Sequence, residues 1–510
     1  MKIFITFLIC YAKDRRTKCV NSTGKIVWQV HEEEFMDIFK QKNAEVHMEQ
    51  GPIGRTLLLF AIPILLSQIL QQMYSIADCM IVGHFCGGNG LAGAGEAALI
   101  LSVMINFFVG FSTGVSAVTA AEFGAFQYKK LSRILHSVVF MSLISGAVMT
   151  LAGITFSGQF LLWIHCPEEV FAPAQCYLKI CMMGIIPQFI YNMGNAILRS
   201  LGNTREPLYF LTFSSVLNLA LDVLFVIVLG MGLPGAGIAT VISQWALALI
   251  MIWKMTCLDE RYQFRIAGLL SGKKELGEIV SMGLPSGMQA VFMSISSLLI
   301  QYSINSFGAD VAAGMVVFAR VEGFLYYPAF SYGMALTGFI GQNYGAKKMD
   351  RVQKGMKKSI LTLSIFTVAA GGILMAVAPV ILKLFTTDPE ILANGRQAIL
   401  CIFPFYFLYA INQVYIGGLK GLGKTGFPML CSLICYCIFR VVWCRILLLF
   451  FWDIRVIYFS YDVSWVIMIA LLVFKYRNVY NKILEGRDTD KEIWGSQWKR
   501  MTSGRVQRHS

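Results

Sequence analysis

Two aspartates stand where an apolar chain can least tolerate them. Asp78 lies deep in the apolar run that starts near Thr56, and Asp222 lies in the middle of the run 207–230. An ionised Asp at the centre of a bilayer costs about 2.5–3.5 kcal/mol on insertion scales, so such a residue is kept for a purpose. Each has polar neighbours at helical spacing. Gln71, Tyr74 and Asp78 fall at i, i+3 and i+7, and Asn218 and Asp222 at i and i+4. Gln188, Asn192 and Asn195 share one face of another run, and Thr240 lies early in the run 235–256. Carboxyl groups among amides and hydroxyls, away from water, can take up and release a proton or a monovalent cation, because burial disfavours the charged carboxylate. The Asn and Gln residues read equally well as hydrogen bonds between helices. Two acids in one half of the chain argue for chemistry.

The second half is poorer in such groups. Glu322 follows Arg320 by two residues, so the pair does not share a helical face, and Arg440 and Arg445 lie in the run 427–451. A structural ion pair to another helix and a role at a substrate site both remain open for Glu322. Aromatic residues gather at Phe324, Tyr326, Tyr327 and Phe330, and again at Phe403, Phe405, Tyr406, Phe407 and Tyr409. Such clusters hold flat or cationic molecules by stacking and cation–π contact, or simply pack at the membrane interface. The 25 Met would suit an adaptable surface. No phosphate-binding loop, nucleophile elbow or metal-ligand cluster occurs in a suitable context, and no cofactor is expected.

The elements that must position these residues follow from composition. Of 510 residues, 56% are hydrophobic and 14% charged, against about 25% charged in a soluble domain. Twelve apolar runs follow one another: 56–83, 91–118, 133–156, 174–198, 207–230, 235–256, 277–305, 311–340, 358–384, 393–416, 427–451 and 454–474. Runs of this length span a bilayer as helices, and the alternating ten-residue segments of a β-barrel are absent. The 13 Cys sit mostly inside these runs and read as free thiols. Residues 1–50 lack the composition of the rest and are placed outside the fold, with Met48 expected as the functional start.

Basic residues choose one side. The even-numbered connections carry Lys129, Lys130 and Arg133; Arg199 and Arg205; Arg261, Arg265, Lys273 and Lys274; the cluster from Lys347 to Lys358; and Lys420 and Lys424. The odd connections 84–90, 157–173, 231–234, 306–310, 385–392 and 452–453 carry none. By the positive-inside rule both termini face the cytoplasm, and the net charge of +14 needs no nucleic acid to explain it.

The halves repeat. LRSLGNTREP (198–207) matches LKGLGKTGFP (419–428), AIP (61–63) matches GLP (283–285), and GFSTG (110–114) matches AFSYG (329–333). The expected architecture is an all-α membrane protein of twelve transmembrane helices in two pseudo-symmetric six-helix lobes: 51–256, a cytoplasmic linker 257–276, 277–475, and a cytoplasmic tail 476–510. Copies with an even number of helices share one orientation and are related by an axis along the membrane normal.

With these segments, and with IPILLSQILQQMYSIADCMIVGHF and INSFGADVAAGMVVFARVEGF, the chain resembles the multidrug and toxic compound extrusion family from about Gly51 to Lys475. The resemblance implies efflux of cationic or amphiphilic small molecules in exchange for H⁺ or Na⁺ by a multi-pass protein of the bacterial plasma membrane, acting as a monomer. It implies a coupling-ion site at Asp78, Asn218, Asp222 and Thr240, with Na⁺ as a possible ligand of the first three. Gln71, Tyr74, Tyr177 and Asn195 would be its polar support, Pro63 the helix kink, and Glu322 a possible site in the second lobe. The acid that some members carry just past the GLP kink is missing from GLPSGMQAVFMSIS, and Asp462 stands where the family usually has Pro, which puts the end of the last helix in question. A lipid-linked oligosaccharide exporter of the same superfamily is the alternative. It would want a cavity lined with Arg or Lys, which the first lobe lacks in sequence. A membrane enzyme would need a catalytic constellation, and a channel would need symmetric pore rings.

The charge pattern makes a direct prediction about sidedness. In a background without reactive native thiols, a cysteine at Gly88 should react with a membrane-impermeant maleimide added outside, and one at Gly272 should not. The reverse labelling would overturn the orientation.

Overall fold

The computed structural model describes residues 47–269 and 275–486. Residues 1–46, the linker positions Gly272, Lys273 and Lys274, and the tail beyond 486 lie outside the described residues. Within them the regular structure is helical throughout, as a bilayer requires of backbone that water cannot reach. The spans are α1 (Ile53–Phe85), α2 (Gly87–Gly124), α3 (Tyr128–Thr155), α4 (Glu168–Met182 and Ile185–Ser200), α5 (Arg205–Val228) and α6 (Gly232–Thr256). The second half has α7 (Leu276–Asn305), α8 (Ala309–Gly345), α9 (Met349–Leu382), α10 (Pro389–Gly421), α11 (Gly426–Phe450) and α12 (Arg455–Leu484). Eleven of these are apolar enough to cross a membrane when the two pieces of α4 count as one. The twelfth, α8, is as long, at 37 residues, but carries Asp310, Arg320 and Glu322 in its first half.

Three helices depart from regular geometry near polar residues. α4 bends by 47° around Met183 and Gly184. The Met182 carbonyl accepts from Thr150 Oγ1 of α3 at 2.9 Å, and a Cβ at Gly184 would strike Gln244 Oε1 of α6. In α5 the α-helix ends at Asp222 and continues as a π segment, Val223–Val228; α11 has its own, Leu433–Phe439, ending beside Arg440. Single π turns in helices often mark functional positions. α1, by contrast, stays helical through Pro63, with Ser67 Oγ donating to the Pro63 carbonyl at 2.9 Å. α12 likewise runs through Asp462 as far as Leu484, so the tail boundary at 476 moves outward by nine residues.

Two apolar cores form, and each takes a piece of the other half. The second-half core includes Ile53, Leu57, Phe60, Ala61 and Ile64, the first three turns of α1. The first-half core includes Ile279 and Met282, the start of α7. The starts of α1 and α7 thus cross between halves at the end of the bundle that carries the basic connections. Glycine permits the approach. A Cβ at Gly114 would lie 2.3 Å from the Met282 carbonyl oxygen, one at Gly124 2.1 Å from that of Gln342, and one at Gly345 2.0 Å from that of Ala121. Helices α2, α7 and α8 therefore touch backbone to backbone, the close packing that small residues allow between membrane helices.

The boundary at Gly51 also needs correction, because residues 47–50 belong to this packed end. Met48 is fully buried, and its N–H donates to Gln342 Oε1 at 2.8 Å. Arg351 of α9 donates to the carbonyls of Met48, Gln50 and Gly51 at 3.1, 3.2 and 3.1 Å. His47 stacks on Phe123 of α2 with ring centroids 5.3 Å apart. The short segment therefore joins the two halves.

The seam yields a stability prediction. Gly345→Val forces a side chain into the Ala121 backbone, and overpacking of this kind costs on the order of 1–3 kcal/mol. The unfolding temperature in detergent should fall clearly for Gly345→Val and stay near wild type for Gly372→Ala, whose Cβ would meet open space. Equal temperatures for the two variants would mean that the seam is not close-packed.

Candidate coupling-ion site

The first-half site is assembled from α1, α5 and α6. Ser214 Oγ of α5 donates to the Ser243 carbonyl of α6 at 2.9 Å, fixing the register of the two helices. That register sets Asn218 and Asp222 opposite Thr240. The hydrogen bonds orient the Asn218 amide so that its nitrogen donates to Asp222 Oδ2 at 2.8 Å while its oxygen accepts from the Thr240 N–H at 3.1 Å. Asn218 and Asp222 are fully buried. From α1, Tyr74 lies close to Thr240 and within electrostatic range of Asp78 and Asp222, which also feel one another. Tyr177 of α4 hydrogen-bonds Cys181 and lies within range of Asp78 and Tyr74.

One oxygen of each acid remains unmatched. Asp78 Oδ1 and Asp222 Oδ1 are buried without a hydrogen-bond partner. Unpartnered carboxylate oxygens are costly in an apolar medium, and a bound proton or small cation removes the cost. Among the described residues no group of three or more His, Cys, Asp or Glu gathers as a transition-metal site would need.

Not all residues expected here are brought together. Gln71 and Asn195 line a separate small cavity with Asn192 and Arg199, nearer the basic end. Pro63 is buried in α1 two turns before Gln71. Tyr74, Asp78, Tyr177, Asn218, Asp222 and Thr240 form the acid cluster, while Gln71 and Asn195 belong to that second pocket. Arg199 itself shows that the first lobe does carry a base on a cavity wall, which its sequence did not reveal.

In the second half, Tyr406 donates to Glu322 Oε1 at 3.0 Å. Arg440 donates to Ser464 Oγ at 2.9 Å and lies between the rings of Tyr461 and Tyr436, 4.3 and 4.6 Å from their centroids. Asp462 is buried with neither oxygen partnered. The aromatic residues of α8 and α10 largely pack on one another: Tyr326 stacks on Tyr409 at 5.6 Å, and Tyr406 meets Trp465 edge-on at 5.3 Å. Asp462 is the acid that sequence reasoning underused. Its signal was an acidic residue inside an apolar run, the same signal that marked Asp78.

The two halves are copies of one unit. A family model described as MatE matches residues 63–224 and again 285–446, each match starting at a proline within the first helix of its half, Pro63 and Pro285. The chain belongs to the MatE family. Among similar proteins is one from Bacillus subtilis (strain 168) named "Probable multidrug resistance protein YpnP", 26% identical over 393 residues that cover 77% of this chain and 87% of that protein. Another, from Thermotoga maritima, is named "Probable multidrug resistance protein NorM" and is 26% identical over 443 residues, covering 85% of this chain and 93% of that one. A solved multidrug resistance MATE family transporter of the MOP superfamily, in an outward-facing conformation, superposes with a TM-score of 0.80 at 20% identity, over 87% of this chain and 99% of that one. A MOP superfamily transporter from Pyrococcus furiosus gives 0.79 at 20% identity, over 86% and 98%. This MatE chain is therefore a helical membrane transporter of the multidrug efflux family, not an enzyme, with the two-lobe architecture that its repeats imply.

Asn218 offers a check on the geometry. Asn218→Ala removes the one hydrogen bond to Asp222 and leaves that oxygen buried. Loss of a bond to a charged group costs about 1.5–3 kcal/mol. The variant should unfold in detergent at a distinctly lower temperature than Asn106→Ala, which removes an exposed 3.1 Å bond to Ser294. If the two fall equally, Asn218 does not hold Asp222.

Proposed function

We propose that this MatE transporter is an antiporter that expels amphiphilic or cationic small molecules across a bacterial plasma membrane in exchange for H⁺ or Na⁺. The observation that carries the reading is the pair of unpartnered oxygens on Asp78 and Asp222, held by two different helices of one lobe. A proton or monovalent cation entering from outside cancels one of the pair's two negative charges. The Asn218–Thr240–Tyr74 network then no longer has two charges to serve, and α1, free to bend at Pro63, moves against α5 and α6. That movement closes the first lobe and releases the substrate outward. The basic end, sealed by the glycine seam and by residues 47–51, faces the cytoplasm with both termini, and a monomer holds the whole path. Relatives named for multidrug resistance, not for lipid-linked sugars, support this choice of substrate class.

The test is gradient-driven uptake of a fluorescent cation into inverted vesicles, under a proton gradient alone and a sodium gradient alone. Asp78→Asn and Asp222→Asn should each fall to background while insertion is unchanged, and Glu322→Gln should keep more than half of the wild-type rate. Asparagine preserves most hydrogen bonds, so a purely structural pair would survive the exchange. Wild-type uptake in both Asp variants would falsify the coupling site.

A further inference from the structure

A second site lies at the floor of the first lobe, and its charge is the opposite one. The cavity that Gln71, Ser112, Tyr191, Asn195 and Thr204 line around Arg199 has a volume of about 30 Å³, room for a water-sized or single-ion guest. The Arg199 side chain makes no hydrogen bond and no ion pair among the described residues. The other inward bases of the first lobe do not share this condition. Lys130 meets Glu122 and Glu278 at 2.7 and 3.0 Å, Arg133 meets Glu275 at 2.6 Å, and Lys254 meets Glu206 at 2.9 Å. Arg199 is half-buried, and its guanidinium carries five donors in a planar fork suited to an anion. No carboxylate lines the cavity. The Gln71 amide likewise faces it without a partner among the described residues.

The repeat supports the same conclusion independently. LKGLGKTGFP places Lys420 where LRSLGNTREP places Arg199. Lys420 is buried and, among the described residues, its side chain donates only to Thr113 Oγ1, at 3.2 Å, and pairs with no carboxylate. Thr113 is the neighbour of Ser112 on α2. Both copies of the unit thus deliver an uncompensated cation to the same stretch of α2.

We infer that Arg199, with Gln71, Tyr191 and Asn195, binds a small monovalent anionic group: a free chloride, or the carboxylate of a zwitterionic substrate. Gln71 lies two turns from Asp78 on one face of α1, so the anion site and the cation site share a helix. The inference rests on the transporter reading but not on which cation drives it.

The test uses the full chain in lipid nanodiscs and in proteoliposomes. Equilibrium binding of radiolabelled chloride, competed by bromide but not by gluconate, reports the free anion. Transport of a zwitterionic rhodamine carboxylic acid against its cationic methyl ester reports the substrate group. For the chloride source, wild type binds chloride, Arg199→Gln binds it at least tenfold more weakly, and Arg199→Lys retains part. For the substrate source, wild type binds no chloride but prefers the acid to the ester, and Arg199→Gln reverses the preference by tenfold or more. In either case Arg199→Gln still transports the ester, which separates this site from the coupling acids. Two results overturn the proposal: wild type that neither binds chloride nor distinguishes acid from ester, and an Arg199→Gln variant that matches wild type in whichever of these two behaviours wild type shows.

Discussion

A hydrocarbon medium gives a polar group no water to fall back on, and the molecule is arranged around that constraint. It forces every span into a helix. It also makes each break in a helix a debt that a neighbour must meet, as Thr150 does for the carbonyl at the α4 bend and Asn218 does for Asp222. At Asp78 Oδ1 and Asp222 Oδ1 no neighbour among the described residues meets it. The same rule that shapes the fold therefore makes these two oxygens conspicuous.

How far this could be read from residues alone depended on distance along the chain. Asp78, Asn218, Asp222 and Thr240 were legible because a charge inside an apolar run is conspicuous, and helical spacing identifies the companions on its own helix. The same spacing misled for Gln71. It shares a face with Asp78, but two turns of rise put it in another pocket, and periodicity describes direction without depth. Asn195 was misplaced for a related reason: the bend at Gly184 redirects the second half of α4. The crossing of α1 and α7 between the halves was invisible, since it depends on which glycine meets which backbone. The anchoring of residues 47–50 was hidden as well, because their partners, Gln342, Asn343 and Arg351, lie almost three hundred positions away.

The two copies of the repeat have diverged in use. The first holds a pair of acids, each with one buried oxygen that lacks a partner among the described residues. The second holds a guanidinium between two tyrosine rings, with Glu322 tied to Tyr406 and Asp462 enclosed without a partner. The first lobe thus encloses two acids, and the second encloses two acids with a guanidinium in electrostatic range of both. The two halves match one family model, and side-chain chemistry distinguishes what each encloses.

The glycine seam has a consequence for the energy difference between the two states of the transporter. Where α2 and α7 meet, the rings of Phe111 and Phe107 seat on Gly283 and Gly287, so parting the two helices uncovers both rings and the backbone beneath them. A ligand can shift an equilibrium between two packings of this end by no more than its difference in affinity for them. Glycine sets how closely α2, α7 and α8 come together in the packing seen here, because any Cβ at Gly114, Gly124 or Gly345 would strike the facing backbone.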